Sequence, residues 1–156
     1  MSRSIDRVVA AGAALGVSVE PRRFPQGTKT AQDAARAIGC DVAQIVKSLV
    51  FVADGNAFLA LTAGSNRADT ARLAAVLGAG EVRRADAEEA RAATGFGIGG
   101  TPPFGHPTRL RVVVDRDLLG HDEVWAAAGT PDAVFPLAAD DLVRASGGEV
   151  ADFAVR

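Results

Sequence analysis

Residues 45–63, IVKSLVFVADGNAFLALTA, constrain the fold of this chain most strongly. Two apolar runs, residues 45–53 and 57–63, flank the segment Asp54-Gly55-Asn56. Asp-Gly and Gly-Asn pairs supply the positive φ angles that tight β-hairpin turns require. The pattern therefore predicts two antiparallel strands joined in a hairpin.

Five segments carry apolar residues at helical spacing, and a glycine follows most of them. Two begin with variants of the capping box, in which Thr30 precedes Asp33 and Asp86 precedes Glu89. The predicted helices cover residues 4–15, the segment from Thr30 to Gly39, residues 67–77, the segment from Asp86 to Gly95, and residues 139–146.

Further strands are predicted between these helices. Residues 81–84 form a short strand, and residues 109–115 form a strand with one wetter face because Arg109 and Arg111 alternate with apolar residues. The apolar runs EVWAAAG and AVFPL are separated by Gly129-Thr130-Pro131-Asp132, which indicates a second hairpin, although the first run is also compatible with a helix. PRRFPQGTK, residues 21–29, is predicted to be a loop. Hairpins alternating with helices favour an α/β fold with one mixed β-sheet and flanking helices.

Length and composition limit the organisation and location of the chain. We expect a single domain of 16.0 kDa over residues 1–156. Its content of 48% hydrophobic and 23% charged residues is typical of a soluble globular protein. No apolar run approaches the roughly 18 residues of a membrane span. The single Cys40 excludes an intrachain disulfide and fits a reducing compartment. These features predict a cytoplasmic protein with no membrane partner.

Charge and motif content exclude several function classes. A net charge of −2 and a pI near 5.7 argue against broad electrostatic binding to DNA or RNA, although recognition of one small part of an RNA remains compatible with them. His106, His121 and Cys40 follow no zinc-ligand spacing. Neither GxGxxG before a helix nor a phosphate-binding GxxxxGK[ST] motif occurs. We therefore expect no metal and no cofactor.

The segment GIGGTPPFGHP, residues 97–107, combines four glycines with three prolines. It can be neither a helix interior nor a central strand, so it must be a shaped loop. Its glycines could serve only the turn, or they could direct backbone N–H groups at a substrate oxygen, as in an oxyanion hole. His106 in this loop is either a general base or a hydrogen-bonded surface residue.

Lys47 is unusual because it interrupts an apolar row of the first predicted hairpin. Alternation along the strand places it on one face, and it places Ser48 on the opposite face. The row that includes Lys47 also contains Ile45, Leu49 and Phe51. Its methylene stem could cover this row while the ammonium reaches water, or the charge could point into a pocket towards a carbonyl, carboxylate or phosphate.

Several segments together resemble a known family. They are TAQDAARAIGCDVAQIVKSLVF, DGNAFLAL, GGTPPFGH, VDRDLL and AAAGTPDAVFPL, in this order over about residues 25–145. They are similar to the YbaK and prolyl-tRNA editing-domain family of aminoacyl-tRNA deacylases, most specifically in the lysine of IVKSLVF and in the GxxxP motif of residues 99–103. The resemblance implies a YbaK-like α/β domain that hydrolyses the ester joining a wrong amino acid to the 3′ end of tRNA, without a cofactor.

The resemblance also implies roles for individual residues. Lys47 would hold the terminal phosphate or the aminoacyl ester, and the backbone of the GxxxP loop would position the ester carbonyl and the terminal ribose. The implied catalytic residues are Lys47 and Gly100, and the implied substrate contacts are Ser48, Gly99, Thr101, Pro103, His106 and Gly129.

Partners and alternatives follow from the same resemblance. The implied partner is the 3′ acceptor end of a mischarged tRNA, with tRNA-Pro and prolyl-tRNA synthetase as the natural candidates. Relatives often have Leu-Gly or Ile-Gly after the motif proline, whereas this chain has Phe104-Gly105-His106. A pocket bordered by Phe104 and His106 would prefer a different amino acid. Two other functions stay open, namely a non-catalytic module that binds tRNA or a synthetase, and a hydrolase of small aminoacyl esters.

Overall fold

The computed structural model describes residues 3–25 and 30–156. Its helices and strands alternate along the chain, with two short 3-10 helices at Val42–Gln44 and Arg116–Gly120. In chain order the elements are α1 (Arg3–Ala14), β1 (Arg22–Arg23), α2 (Ala31–Ile38), β2 (Val46–Ala53), β3 (Asn56–Ala63), α3 (Thr70–Leu77), β4 (Val82–Arg84), α4 (Ala87–Thr94), β5 (Arg111–Asp115), β6 (Glu123–Ala127), β7 (Ala133–Ala138), α5 (Ala139–Ser146) and β8 (Glu149–Ala151). The predicted α/β class is confirmed.

The strands form two sheets rather than the one mixed sheet that the sequence predicts. The larger sheet has the order β4-β2-β3-β5-β8, and it is mixed because β5 runs parallel to both β3 and β8. The smaller antiparallel sheet has the order β1-β7-β6. Which sheet the second hairpin joins depends on tertiary contacts. The sequence therefore could not show that β6 and β7 belong to a separate sheet.

The first hairpin is confirmed, and its turn contains two residues rather than three. Asp54 and Gly55 both have positive φ angles, 49° and 88°, and Asn56 already pairs with Ala53. The carboxylate of Asp54 also accepts hydrogen bonds from the N–H groups of Gly80 and Glu81, both at 2.9 Å. The turn therefore also fixes the chain that enters β4.

The helix caps agree with the sequence, except at the start of α3. The hydroxyl of Thr30 accepts a hydrogen bond from the N–H of Asp33, and Asp86 with Glu89 forms a full capping box. The helix predicted over residues 67–77 begins only at Thr70. The carboxylate of Asp69 accepts hydrogen bonds from the N–H groups of the first turn, which fixes the start of the helix there.

Four other points about the strands differ from the sequence prediction. The wetter face expected for residues 109–115 is wrong, because β5 lies in the middle of the larger sheet and both Val113 and Asp115 are buried. Arg22–Arg23, expected within a loop, pairs with β7. The strand β8 was not predicted. The helical alternative for EVWAAAG is also wrong, since this run forms β6 and pairs with β7 as a hairpin. The remainder of PRRFPQGTK, residues 26–29, lies outside the described residues.

Two apolar clusters cover the two faces of the larger sheet. The larger cluster contains side chains from both sheets and from α1 and α5, so it lies between the sheets. The smaller cluster lies on the other face, under α3. Buried members of the larger cluster include Ile5, Val50, Leu61, Val114, Phe135 and Leu142, and those of the smaller include Phe51, Phe58, Leu73, Val113 and Phe153. No helix in the described ranges is long and apolar enough to span a membrane.

Candidate active site

A cavity opens where the two sheets separate. A single bridge joins Ile45, just before β2, to Trp125 in β6, and β2 and β6 form no ladder beyond it among the described residues. The resulting wedge encloses about 420 Å³. Its walls are β2, β6, the start of α2 and the turn that follows α4, and they include Ala31, Ala34, Ile45, Ser48, Ala90, Ile98, Gly99, Thr101, Trp125 and Ala127.

The cavity lining is apolar with an excess of positive charge. Among the described residues it includes two cations, Lys47 and Arg84, and no carboxylate. The guanidinium of Arg22 lies 4.9 Å from the ring centre of Trp125, which is also part of the wall. This arrangement suits a small ligand with an anionic group and an uncharged apolar part.

Lys47 lines the cavity, but its ammonium is held on the side of β2 that faces the smaller cluster. Nζ donates a hydrogen bond to the main-chain oxygen of Asn66 at 2.5 Å. Partial burial lowers the pKa of Lys47, as does the nearby positive charge of Arg84, while the carboxylate of Asp115 opposes this shift. An ammonium has three N–H donors, so two are left for a substrate.

The oxygen that holds Lys47 belongs to a buried polar network. The side-chain amide of Asn66 donates hydrogen bonds to Asp115 at 2.9 Å and to Asp117 at 2.7 Å. The carboxylate of the fully buried Asp115 also accepts from the N–H groups of Ala63 and Asp117, each at 3.0 Å. Asn66 is thereby fixed from its side chain, and its main-chain oxygen presents a rigid acceptor to Lys47.

Ser48 lies on the opposite face of β2, as its position in the sequence predicts. Its hydroxyl is buried and has no hydrogen-bond partner among the described residues. The residue nevertheless lines the cavity. The atoms of Ser48 that reach the cavity are therefore not the hydroxyl oxygen.

The glycine-rich segment forms a tight turn at the cavity wall. The N–H of Gly100 donates a hydrogen bond to the oxygen of Gly97 at 3.1 Å, and the φ of Gly99 is 86°. A positive φ at the third position is characteristic of a type II turn. Gly99 and Thr101 line the cavity, and within the described ranges neither N–H has an acceptor. Gly100 does not line the cavity, and its N–H already has an acceptor, so the geometry gives it no free donor.

Gly100 and Gly129 are needed for close packing. A β-carbon on Gly100 would lie 2.8 Å from the oxygen of Gly129 and 2.9 Å from the α-carbon of Thr130. A β-carbon on Gly129, whose φ is 106°, would lie 2.6 Å from the oxygen of Ser4 at the start of α1. These contacts attach the glycine-rich turn to the β6–β7 connection and attach that connection to α1.

The rest of the loop packs into the protein rather than around the cavity. Phe104 is 3% exposed and packs edge to face on Phe135, with ring centres 5.9 Å apart. His106 donates from Nε2 to the oxygen of Pro102 at 2.8 Å, and burial lowers its pKa. Pro103 is buried as well. None of these side chains lines the cavity, so the expected border of Phe104 and His106 is not observed.

Several residues at the cavity were not predicted from the sequence. Arg84 and Trp125 line the cavity, and Asn66 with Asp115 holds Lys47. One signal was available, because a polar residue at the end of an apolar strand, as at Asp115, needs a buried partner. Nothing local identifies Arg84 or Trp125, whose position depends on how the strands pack. In residues 3–25 and 30–156, no three His, Cys, Asp or Glu side chains are grouped as metal ligands.

Comparisons with known proteins agree with this fold. The profile of the aminoacyl-tRNA editing domain family matches residues 25–145. Proline–tRNA ligase of Streptococcus pyogenes is 36% identical over 100 residues, which are 64% of this chain and 16% of the ligase. This chain therefore resembles only a small part of that much longer enzyme.

Two solved structures have nearly the same fold. One is the crystal structure of a candidate trans-editing enzyme for prolyl tRNA synthetase, with a TM-score of 0.94 and 44% identity, covering 100% of this chain and 99% of that one. The other is a hypothetical protein with a TM-score of 0.88 and 29% identity, covering 96% of this chain and 99% of that one. By its profile match, and by structural agreement over its whole length, this chain belongs to the aminoacyl-tRNA editing domain family.

Proposed function

We propose that this protein is a trans-acting deacylase that hydrolyses the ester between a wrongly attached amino acid and the 3′ end of tRNA in the cytoplasm. The observation that carries the proposal is the cavity itself. One wall contains Lys47, whose ammonium donates to Asn66 and keeps two further donors, and another contains the N–H groups of Gly99 and Thr101, which have no acceptor among the described residues. A cation and main-chain donors around one small space suit a substrate with both a phosphate and an ester carbonyl.

The reaction needs little from side chains. Water attacks the ester carbonyl carbon, negative charge develops on the carbonyl oxygen, and the bond to the ribose oxygen breaks as that oxygen takes a proton. The N–H groups of Gly99 and Thr101 would stabilise the developing charge. Lys47 would hold the adjacent phosphate or the ester, so that the carbonyl meets these donors in a fixed orientation. Water and the ribose hydroxyl can carry the protons.

The other predicted contacts receive supporting roles in this proposal. Gly100 and Gly129 keep the glycine-rich turn at the cavity by close packing, His106 fixes the loop through its hydrogen bond to Pro102, and Pro103 anchors the loop by its burial. Ser48 contributes groups other than its hydroxyl oxygen to the wall. Because the similar proteins include a proline–tRNA ligase and a candidate trans-editing enzyme for prolyl tRNA synthetase, we propose tRNA-Pro as the tRNA and the prolyl enzyme as a partner.

The test is deacylation of tRNA-Pro charged in turn with Ala, Ser, Thr, Cys and Pro. We expect rapid hydrolysis of at least one mischarged tRNA-Pro, survival of tRNA-Pro charged with Pro, and loss of activity in Lys47→Ala. Arg109→Ala is the matched control, since Arg109 is an exposed cation that does not line the cavity.

The other outcomes contradict the proposal in distinct ways. Binding of tRNA with no hydrolysis of any species would support a non-catalytic binding module. Equal hydrolysis of aminoacyl-adenosine and of full-length aminoacyl-tRNA would support a hydrolase of small esters. Equal loss of activity in both variants would remove Lys47 from the site.

A further inference from the structure

The main chain of β2 reaches the cavity along an edge that no strand covers. β4 pairs with β2 only over Phe51–Ala53, and the bridge to β6 is at Ile45, the residue before β2. In the described part of the chain, Ser48 therefore has a strand neighbour on one side only, which is β3. The uncovered stretch is the part of β2 that lines the cavity.

The direction of the main-chain groups of Ser48 follows from strand alternation. In an antiparallel pair, residues alternate between directing both N–H and C=O at the partner and directing both away from it. The oxygen of Val50 accepts a hydrogen bond from the N–H of Ala85, so it points away from β3. Ser48 lies two residues before Val50, so its main-chain groups point in the same direction, away from β3. Its N–H and C=O therefore face the wedge.

The facing strand β6 shows the same alternation. The N–H of Ala128 bonds to Ala133 in β7, whereas the oxygen of Glu123 accepts from the side chain of Gln44 near β2. Every second residue from Glu123, which includes Ala127, therefore directs its main-chain groups towards β2. Two strand edges border the same cavity, and in the described part of the chain no ladder joins them beyond the bridge at Ile45.

We infer that the aminoacyl group of the substrate binds the uncovered edge at Ser48 as a single antiparallel strand residue. Its α-ammonium would donate to the oxygen of Ser48, and its ester carbonyl would accept from the N–H of Ser48. An aminoacyl ester carries this donor and acceptor at the spacing of a peptide residue, which is how extended ligands add to sheet edges. The inference rests on the proposed deacylase function.

This binding mode determines where the amino-acid side chain lies. Residues directly opposite each other in an antiparallel pair project their side chains to the same face. The substrate side chain would therefore lie beside that of Ser48, on the face where Ala85 and Ala90 form part of the cavity wall. The N–H of Ser48 would also join Gly99 and Thr101 as a donor to the reacting carbonyl. Main-chain recognition explains why the hydroxyl of Ser48 is not needed at the cavity surface.

The experiment removes each of the two hydrogen bonds separately. Ser48→Pro deletes the N–H at a position where it does not serve the β2–β3 ladder, and Ser48→Ala keeps it while removing the hydroxyl. On the most rapidly hydrolysed aminoacyl-tRNA, we expect kcat of Ser48→Pro to be roughly 100-fold below that of Ser48→Ala. If the proline variant does not fold by circular dichroism, replacing Ser48 by its α-hydroxy acid removes the same N–H with less disturbance.

The second hydrogen bond is tested on the wild-type protein with a changed substrate. The deaminated ester, propionyl in place of alanyl for example, lacks the α-ammonium. Each rate is divided by that of the same ester without protein, which corrects for intrinsic reactivity. We expect the corrected kcat/KM to fall about tenfold or more.

Equal activity of folded Ser48→Pro and Ser48→Ala would overturn the inference, as would equal corrected rates for the two esters. In both cases the wild-type protein still hydrolyses aminoacyl-tRNA, so the proposed function survives. Absence of any wild-type deacylation would instead reject the proposed function, and the inference with it.

Discussion

The ammonium of Lys47 donates a hydrogen bond to the main-chain oxygen of Asn66, and the side-chain amide of Asn66 in turn donates to the buried Asp115. The lysine is therefore oriented by a network on the far side of its sheet and does not extend freely into solvent. Partial burial lowers the pKa of Lys47, and the nearby negative charge of Asp115 opposes this shift because it favours the charged ammonium. Among the described residues, the cavity lining includes Lys47 and Arg84 and no carboxylate, so the acidic partner of this network lies outside the lining.

Lys47→Ala is expected to lower kcat/KM for deacylation by about 100-fold or more, because the ammonium holds the substrate in its reactive orientation. The free energy of unfolding should change by less than about 1.5 kcal/mol, since the variant loses one hydrogen bond at a half-exposed site. Steady-state kinetics and urea unfolding measure the two effects. Lys47→Met, which keeps an apolar stem, should be as inactive as Lys47→Ala. Recovery of activity in Lys47→Met would show that the stem matters and the charge does not.

Asp115→Asn should destabilise the fold by roughly 2–4 kcal/mol. The amide nitrogen that replaces one carboxylate oxygen would face a donor, either the N–H of Ala63 or that of Asp117. Asp117→Asn is the control, because Asp117 is less buried and its pair with Arg156 lies at the surface, where the expected cost is about 1 kcal/mol or less. Urea denaturation of both variants measures the difference, and similar small effects would mean that the buried network is not stabilising.

Gly100→Ala should destabilise the protein by about 1–3 kcal/mol and reduce activity, because the new methyl group would push the turn away from Gly129 and Thr130. Both contacts are to backbone, which cannot move aside by rotating a side chain. Gly97→Ala is the matched control in the same turn, since its β-carbon would meet only the end of the flexible Arg91 side chain, at 3.2 Å. Thermal unfolding and deacylation assays should separate the two variants, and equal behaviour would contradict the packing role of Gly100.

Stability should decrease as the pH falls below about 6.5, partly because of His106. Burial lowers the folded-state pKa of His106 below its ordinary value of 6.5, so the unfolded chain takes up the proton first as the pH falls. His106→Asn should lose this part of the pH dependence. Urea unfolding at pH 7.5 and 5.5 measures it, with variants of the two histidines, His106 and His121, compared. An unchanged pH dependence in His106→Asn, or an equal change in His121→Asn, would contradict the assignment.

Local chemistry predicted the elements that depend on neighbouring residues. The Asp54-Gly55 turn, the caps at Thr30 and Asp86 and the helix ending at Gly147 all involve contacts within a few residues, and all are present. The start of α3 was missed because Asp69 was not recognised as its cap. Periodicity also placed Lys47 and Ser48 on opposite faces of one strand, and this is confirmed by the register of β2 with β3.

The sequence by itself determined the hairpins, most helix ends, the α/β class and, through its family resemblance, two segments that line the cavity, around Lys47 and Gly99. Only the tertiary structure decided that the strands divide into two sheets, that β5 is buried on both faces, and that a cavity lies between β2 and β6, which belong to different sheets. It also placed Asn66 and Arg84 beside Lys47, buried Phe104, and left the partly buried His106 outside the cavity wall. The physical reason is the separation in sequence between the residues that interact. Turns and caps are stabilised by hydrogen bonds between near neighbours, whereas strand pairing and cavity shape depend on packing between residues far apart in the chain.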